Sequence, residues 1–295
     1  MFDGLANVGW APLLLFLAMV TIVAPRKVAP VFCAAYLLAA LGDQTRLQPE
    51  VVSLAVLMTA PLYGEHGITV ARWHVTTLWT WAGIHKALSL GWSTGGAGFI
   101  ATSLGDPSVR SLVAFGLPAI EISIGVASVF RRAWPVVRWA GCALNLGIFL
   151  TLSPLFGDWN SSVWPWNIGL ALGAVFLFSG RSRVAPNLAS QAIVVLLATY
   201  PALFYVGLVD AYLAHNLYTS NTATASICSS SQQCVATPFD TWDALNVPLP
   251  PEERLYRAWF DRICVPGSTL VVTGPQTRLT DPPKVHRYTC KISDA

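Results

Sequence analysis

The stretch "TTLWTWAGIHKALSLGW", residues 76–92, has the apolar length and the tryptophans of a membrane-spanning helix, yet it carries His85 and Lys86 side by side. An unpaired ammonium at the centre of an inserted helix costs about 2.5–3.5 kcal/mol. Lys86 therefore either snorkels to the interface along its apolar stem or finds a partner inside a bundle. At about 100° per residue, Arg72, Thr76, Trp79, Gly83 and Lys86 fall near one stripe of this helix, and His74, Trp81 and His85 near another. A helix with two polar stripes cannot face lipid all round.

The rest of the chain agrees with a membrane setting. Of 295 residues, 54% are hydrophobic and 11% are charged, against roughly 25% charged in a soluble domain. The formal net charge of +3 is spread over many loops, which does not fit the clustered basic face of a nucleic-acid binder. The character changes near residue 213: ten of the twelve tryptophans precede it, and four of the six cysteines follow it in a polar, proline-bearing stretch. The expected architecture is an all-α integral-membrane helical bundle over residues 1–213, followed by a small disulfide-tied extracytoplasmic region over 214–295.

Apolar runs near 8–24, 28–42, 50–64, 73–91, 109–130, 134–154, 163–180 and 189–213 give about eight spans. The second and third are short and could form a re-entrant pair. On this count Arg26, Lys27, Arg72, Arg131, Arg132, Arg181 and Arg183 fall on one face, and Arg46 and Arg110 on the other. The positive-inside rule then places both termini outside the cytoplasm. The start "MFDGLANVGWAP" has no basic region of the kind that opens a secretory signal, which suits a first helix with its N-terminus outside.

The C-terminal region would then lie in an oxidising space, where Cys228, Cys234, Cys264 and Cys290 pair in any of three connectivities. No CxxC pair or Cys/His cluster has ligand spacing, so no metal is expected. Trp242, Leu245, Leu255, Tyr256 and Trp259 suggest that this region packs on something, the outer face of the membrane domain being nearest.

Polar residues within the spans carry the functional reading. Glu121, in "GLPAIEISIG", is the only carboxylate well inside a span, and its expected partner is Lys86 or His85. Burial disfavours an ammonium, so a lysine in an apolar pocket can give up its charge and serve as a base, while His85 can do so near neutral pH unaided. Lys86, Glu121 and His85 are thus the candidate catalytic groups. Asn145 in "CALNLGIFL" and Trp164, Trp166 and Asn167 in "SSVWPWNIG" are placed to line a pocket for a flat ligand, together with Trp79 and Trp81. The structural alternatives are interhelical hydrogen bonds for His85 and Asn145 and an aromatic belt for Trp164. The Asn160-Ser161-Ser162 triplet matches a glycosylation sequon. No Walker loop, GxGxxG, GxSxG or HExxH occurs, so no nucleotide is expected.

These residues resemble a known family. "WTWAGIHKALSLGWSTGGA", residues 79–97, is similar to the "AG, two residues, K, then W and G" stretch of the vitamin K-dependent gamma-carboxylase and its bacterial relatives, the horizontally transferred transmembrane domain proteins, and aligns Ala82, Gly83, Lys86, Trp92 and Gly95. The segment from "VFRRAWPVVRWAGCALNLGIFLTLSPLFG" to "SSVWPWNIGLALG" resembles that family's helix pair around a polar position, here Asn145, and "AYLAHNLYTSNTATASI" resembles the segment leaving its last helix. DoxX-like quinone-linked subunits share a similar helix. The resemblance implies a lysine, here Lys86, that deprotonates a quinol so that the quinolate reacts with oxygen. The short C-terminal region does not match the carboxylase's large luminal part, so oxidation or epoxidation of a quinol/quinone-type lipid is implied rather than peptide carboxylation. The partners expected are the lipid bilayer and a hydrophobic small molecule. Two other classes stay open: a non-enzymatic membrane scaffold whose C-terminal region docks an extracytoplasmic protein, and a small-molecule permease.

Overall fold

The computed structural model describes residues 4–161, 163–180, 187–229, 233–237, 249–279 and 282–290. Trp242, Leu245, Ser162, Arg181 and Arg183 lie outside the described residues. The chain opens with helices α1 (Gly4–Val23) and α2 (Pro25–Gly42), which pack on each other. Pro25 starts α2, a position where a fixed φ helps and the missing N–H leaves nothing unsatisfied. Helix α3 (Pro49–Thr59) begins in the same way, and after a 3-10 turn at Ala60–Tyr63 the chain reverses at Gly64, whose φ of +68° favours glycine.

Helix α4 (Gly64–Leu88) then runs back along α3. A Cβ on Gly67 would lie 1.6 Å from the Ala60 carbonyl oxygen, and His74 Nε2 lies 3.0 Å from Ser53 Oγ. Further on come α5 (Gly96–Ser103), α6 (Arg110–Ser128), α7 (Trp134–Leu152), α8 (Val163–Leu177) and α9 (Leu188–Thr199), the last extended by a 3-10 segment Tyr200–Val206.

Four helical segments among the described residues are long and apolar enough to cross a membrane: Pro49–Leu88, Pro107–Ser128, Arg131–Leu152 and Leu188–Val206. They mark the chain as a membrane protein. The expectation of eight spans is not supported. Residues 50–64 and 73–91 belong to one helical hairpin, and its α3 arm of 11 residues rises only about 16 Å, half a hydrocarbon core. Pro12–Val23 and Val163–Leu177 are apolar but shorter, and α2 carries Arg26 and Lys27 in its first turn.

Helix α4 occupies the middle of the bundle, touching α3, α6, α8 and α9, and its two stripes address different neighbours. On the first, Arg72 Nε donates to the Leu177 carbonyl (2.5 Å), Thr76 meets Ser128 (2.6 Å) and Trp79 stacks on Phe178. On the second, His74 meets Ser53 of α3, and Trp81 Nε1 donates to Ala198 of α9 (3.0 Å). Arg72 and Arg131 both lie against Trp134, 4.6 and 5.5 Å from its ring, at the end of the bundle far from the C-terminal region.

The C-terminal region, for which the sequence reading assigned no secondary structure, combines a sheet with a helix. Strands β1 (Thr224–Cys228), β2 (Cys234–Ala236), β3 (Thr269–Thr273) and β4 (Val285–Thr289) form an antiparallel sheet in the order β2-β1-β3-β4. Alternation in "TLVVT" turns Leu270 and Val272 inward, where they meet Leu255, Tyr256, Trp259 and Phe260 of the amphipathic helix α10 (Glu253–Ile263). Of the three connectivities, the structure has Cys228–Cys234, which ties β1 to β2, and Cys264–Cys290, which ties the end of α10 to the end of β4. Their sequence separations of 26 and 6 correspond to about 3.5 and 2 kcal/mol of loop-closure stabilisation, in that order for Cys264–Cys290 and Cys228–Cys234. Cys264→Ser is therefore expected to lower the calorimetric unfolding midpoint of this region more than Cys228→Ser; the reverse order would contradict the assignment.

Candidate functional site

Helices α4 and α6 run antiparallel and approach closely because the contact is built on glycine. A Cβ on Gly83 would lie 2.8 Å from the Pro118 carbonyl oxygen, and one on Gly125 would lie 2.9 Å from the Thr80 amide. One turn beyond Gly83, this contact brings Lys86 to Glu121: the ammonium Nζ donates to both carboxylate oxygens at 2.7 and 2.8 Å. Lys86 is 6% and Glu121 3% exposed, so the lysine does not snorkel. Trp92, anchored by its Nε1 donating to the Ala114 carbonyl (3.0 Å), holds its ring 5.5 Å from the ammonium.

The pair stands in the wall of a cavity of about 330 Å³, near the lower end of the range of small-molecule pockets. Of the residues expected at a site, Lys86, Glu121, Trp79, Asn145, Trp166 and Asn167 line this cavity. The aromatic character of the wall is completed by Trp92, Phe99 and Trp159.

His85, Trp81 and Trp164 are not brought to it. His85 uses both ring nitrogens elsewhere, Nδ1 with the Tyr205 hydroxyl (2.7 Å) and Nε2 with the Ala214 carbonyl (2.8 Å), so it ties α4 to the chain after α9. Trp81 is bound to α9 as described, and Trp164 Nε1 donates to the Leu152 carbonyl (3.0 Å). Asn160 is buried and its side-chain amide donates to the Tyr218 hydroxyl, a position unsuited to carry a glycan.

The sequence reading missed the roof of the cavity. Residues His215, Leu217, Tyr218 and Ser220 line it, from a strap between the last membrane helix and the sheet. His215, Tyr218 and Ser220 adopt left-handed φ values of 61°, 55° and 54°, a conformation that persists only when its surroundings enforce it. They do so here through fully buried Asn216, Thr219 and Asn221: Asn216 Nδ2 donates to the Asn221 carbonyl (2.6 Å), its Oδ1 accepts from the Thr219 hydroxyl, and the Asn221 N–H donates to Thr219 Oγ1 (3.1 Å). The strap is pinned to α4 and α5 by Ser89 Oγ donating to the Ser220 carbonyl (2.9 Å) and the Gly96 N–H donating to Ser220 Oγ (3.2 Å). Burial, with His74 and His85 nearby, holds the His215 imidazole well below its ordinary range and therefore neutral. The signal that could have found this segment was the density of Asn, Thr and His in "AHNLYTSN" directly after an apolar run.

A polar clasp joins the base of the strap to the sheet region. Arg254 donates to Asp210 Oδ1 from Nη1 (2.9 Å) and to Gln44 Oε1 from Nε (2.9 Å), and Glu252 Oε1 accepts from the Ala211 N–H (2.8 Å). Burial pushes the Glu252 carboxyl up to about 7; the Ala211 N–H opposes this, Asp210 adds to it, and Arg254 opposes it. A raised folded-state value means that Glu252 stabilises the fold fully below its unfolded value near 4.5 and loses that contribution as pH rises through about 7. The unfolding midpoint of the wild type should thus fall between pH 5 and 7.5 by more than that of Glu252→Gln. Parallel pH profiles for the two proteins would contradict this.

Among the described residues no group of three or more His, Cys, Asp and Glu side chains is arranged to hold a metal ion. Comparison with protein-family models, with curated proteins and with solved structures finds no match to this chain.

Proposed function

We propose that the protein is an integral-membrane oxidoreductase that takes a quinol-type lipid into this cavity and oxidises it with dioxygen. The observation that carries the reading is a buried Lys86–Glu121 pair facing an apolar, tryptophan-lined cavity. A desolvated ion pair is costly to maintain and is a weak source of stability, so its retention in a cavity wall favours a chemical role.

The base is the pair rather than the lysine alone. Lys86 passes one proton to Glu121 and, as an amine, takes the proton of a quinol hydroxyl. The products are an ammonium, a neutral carboxyl and a quinolate, whose negative charge the ammonium stabilises in a medium of low dielectric. The quinolate gives two electrons and its remaining proton to dioxygen, forming quinone and hydroperoxide, and hydroperoxide recovers the proton stored on the pair as hydrogen peroxide. The aromatic walls hold the flat ring and the strap excludes water. His85 supports the site through its bonds to Tyr205 and Ala214.

We also place the sheet-bearing end outside the cytoplasm. Two disulfides lie there, and Arg72 and Arg131 lie at the other end. The experiment is anaerobic loading of the purified protein with menadiol followed by addition of oxygen. Quinone and peroxide are expected in a one-to-one ratio above the uncatalysed background. An epoxide product would redirect the reading to epoxidation, and no reaction above background would refute it.

A further inference from the structure

The cavity holds a second set of polar groups that the proton-transfer step does not use. Among the described residues the indole N–H groups of Trp79 and Trp166 are buried behind the cavity surface, and their rings contribute to its lining. Asn145 and Asn167 line the same space from α7 and α8, and each has committed its amide nitrogen, Asn145 Nδ2 to the Gly141 carbonyl (2.8 Å) and Asn167 Nδ2 to the Val163 carbonyl (2.9 Å). A carbonyl only accepts, so these bonds fix the amide orientation and leave Oδ1 of each as the remaining polar atom.

Two acceptors thus share the cavity with Lys86 and Glu121, and both stand on the α7/α8 wall. The Trp79 ring edge lies against this wall too: its carbons would be 2.6 Å from a Cβ on Gly141, one turn before Asn145.

We infer that Asn145 and Asn167, on a wall completed by the Trp79 and Trp166 rings, form a subsite for the far oxygen of a two-hydroxyl aromatic ligand, selecting its reduced form; this rests on the quinol reading above. A hydroxyl donates, so it satisfies an asparagine Oδ1; a quinone carbonyl only accepts, so after oxidation that bond is lost. The subsite therefore holds substrate more tightly than product.

The test is calorimetric titration of the full-length protein under argon with 1,4-naphthalenediol, 1-naphthol and 1,4-naphthoquinone. The wild type is expected to bind the diol about tenfold more tightly than either of the others, the effect of one added hydrogen bond. Asn145→Leu or Asn167→Leu should bring the diol-to-naphthol affinity ratio towards one. If neither asparagine variant folds, the diol-to-naphthol ratio of the wild type itself decides. Equal wild-type affinity for diol and naphthol, or a ratio unchanged in every folded variant, would overturn the subsite and leave the quinol reading standing. Failure of all three probes to bind the wild type would overturn both.

Discussion

Lys86→Met is expected to destabilise the protein by about 3–5 kcal/mol, because it leaves the Glu121 carboxylate buried without its counter-ion. Removing both charges at once, as Lys86→Met with Glu121→Leu, should restore most of that loss, since apolar residues of similar volume replace a buried pair at little or no cost. The contrast separates a pair kept for chemistry from one kept for stability. Equilibrium unfolding in detergent gives the two values, and a double variant as unstable as the single one would show that the pair is a structural keystone instead.

Gly125→Ala should be a damaging single-methyl change at the α4/α6 contact. Its Cβ would lie 2.1 Å from Thr80 Oγ1, 2.9 Å from the Thr80 amide and 3.1 Å from the Thr76 carbonyl oxygen. Two of these are backbone atoms, which no rotamer change can move, so the helices must separate at a cost of about 1–3 kcal/mol. The same separation draws Glu121, one turn away, off Lys86. Gly147→Ala on α7 adds a Cβ that meets nothing within 4 Å, and should change stability by no more than about 0.5 kcal/mol. Similar losses in the two variants, measured by the same unfolding experiment, would remove the close-contact argument.

That Glu121 pairs with a basic residue of α4, Lys86 or His85, was legible in the sequence because it follows from helical period and scarcity. Thr76, Trp79, Gly83 and Lys86 share a stripe, and only one carboxylate was deep enough in a span to answer it. What sequence could not show depends on contacts between distant residues. His85 looked as reactive as its neighbour until both of its nitrogens were found occupied by Tyr205 and Ala214, 120 and 129 residues away. The strap, the β1–β3 pairing and the choice among disulfide connectivities are long-range in the same way. The number of spans failed for a different reason. Hydropathy counts apolar runs and is blind to the reversal at Gly64, which folds a short α3 back on α4 instead of sending it across a bilayer.

The claim at the centre is that the Lys86–Glu121 pair takes the quinol proton. Its most direct test is the rate of dioxygen-dependent menadiol oxidation by the Lys86→Met, Glu121→Leu protein, whose fold the apolar replacement is expected to preserve, against the wild type. A loss of about 100-fold or more is predicted, the usual contribution of a general base; a rate equal to that of the wild type would contradict the claim.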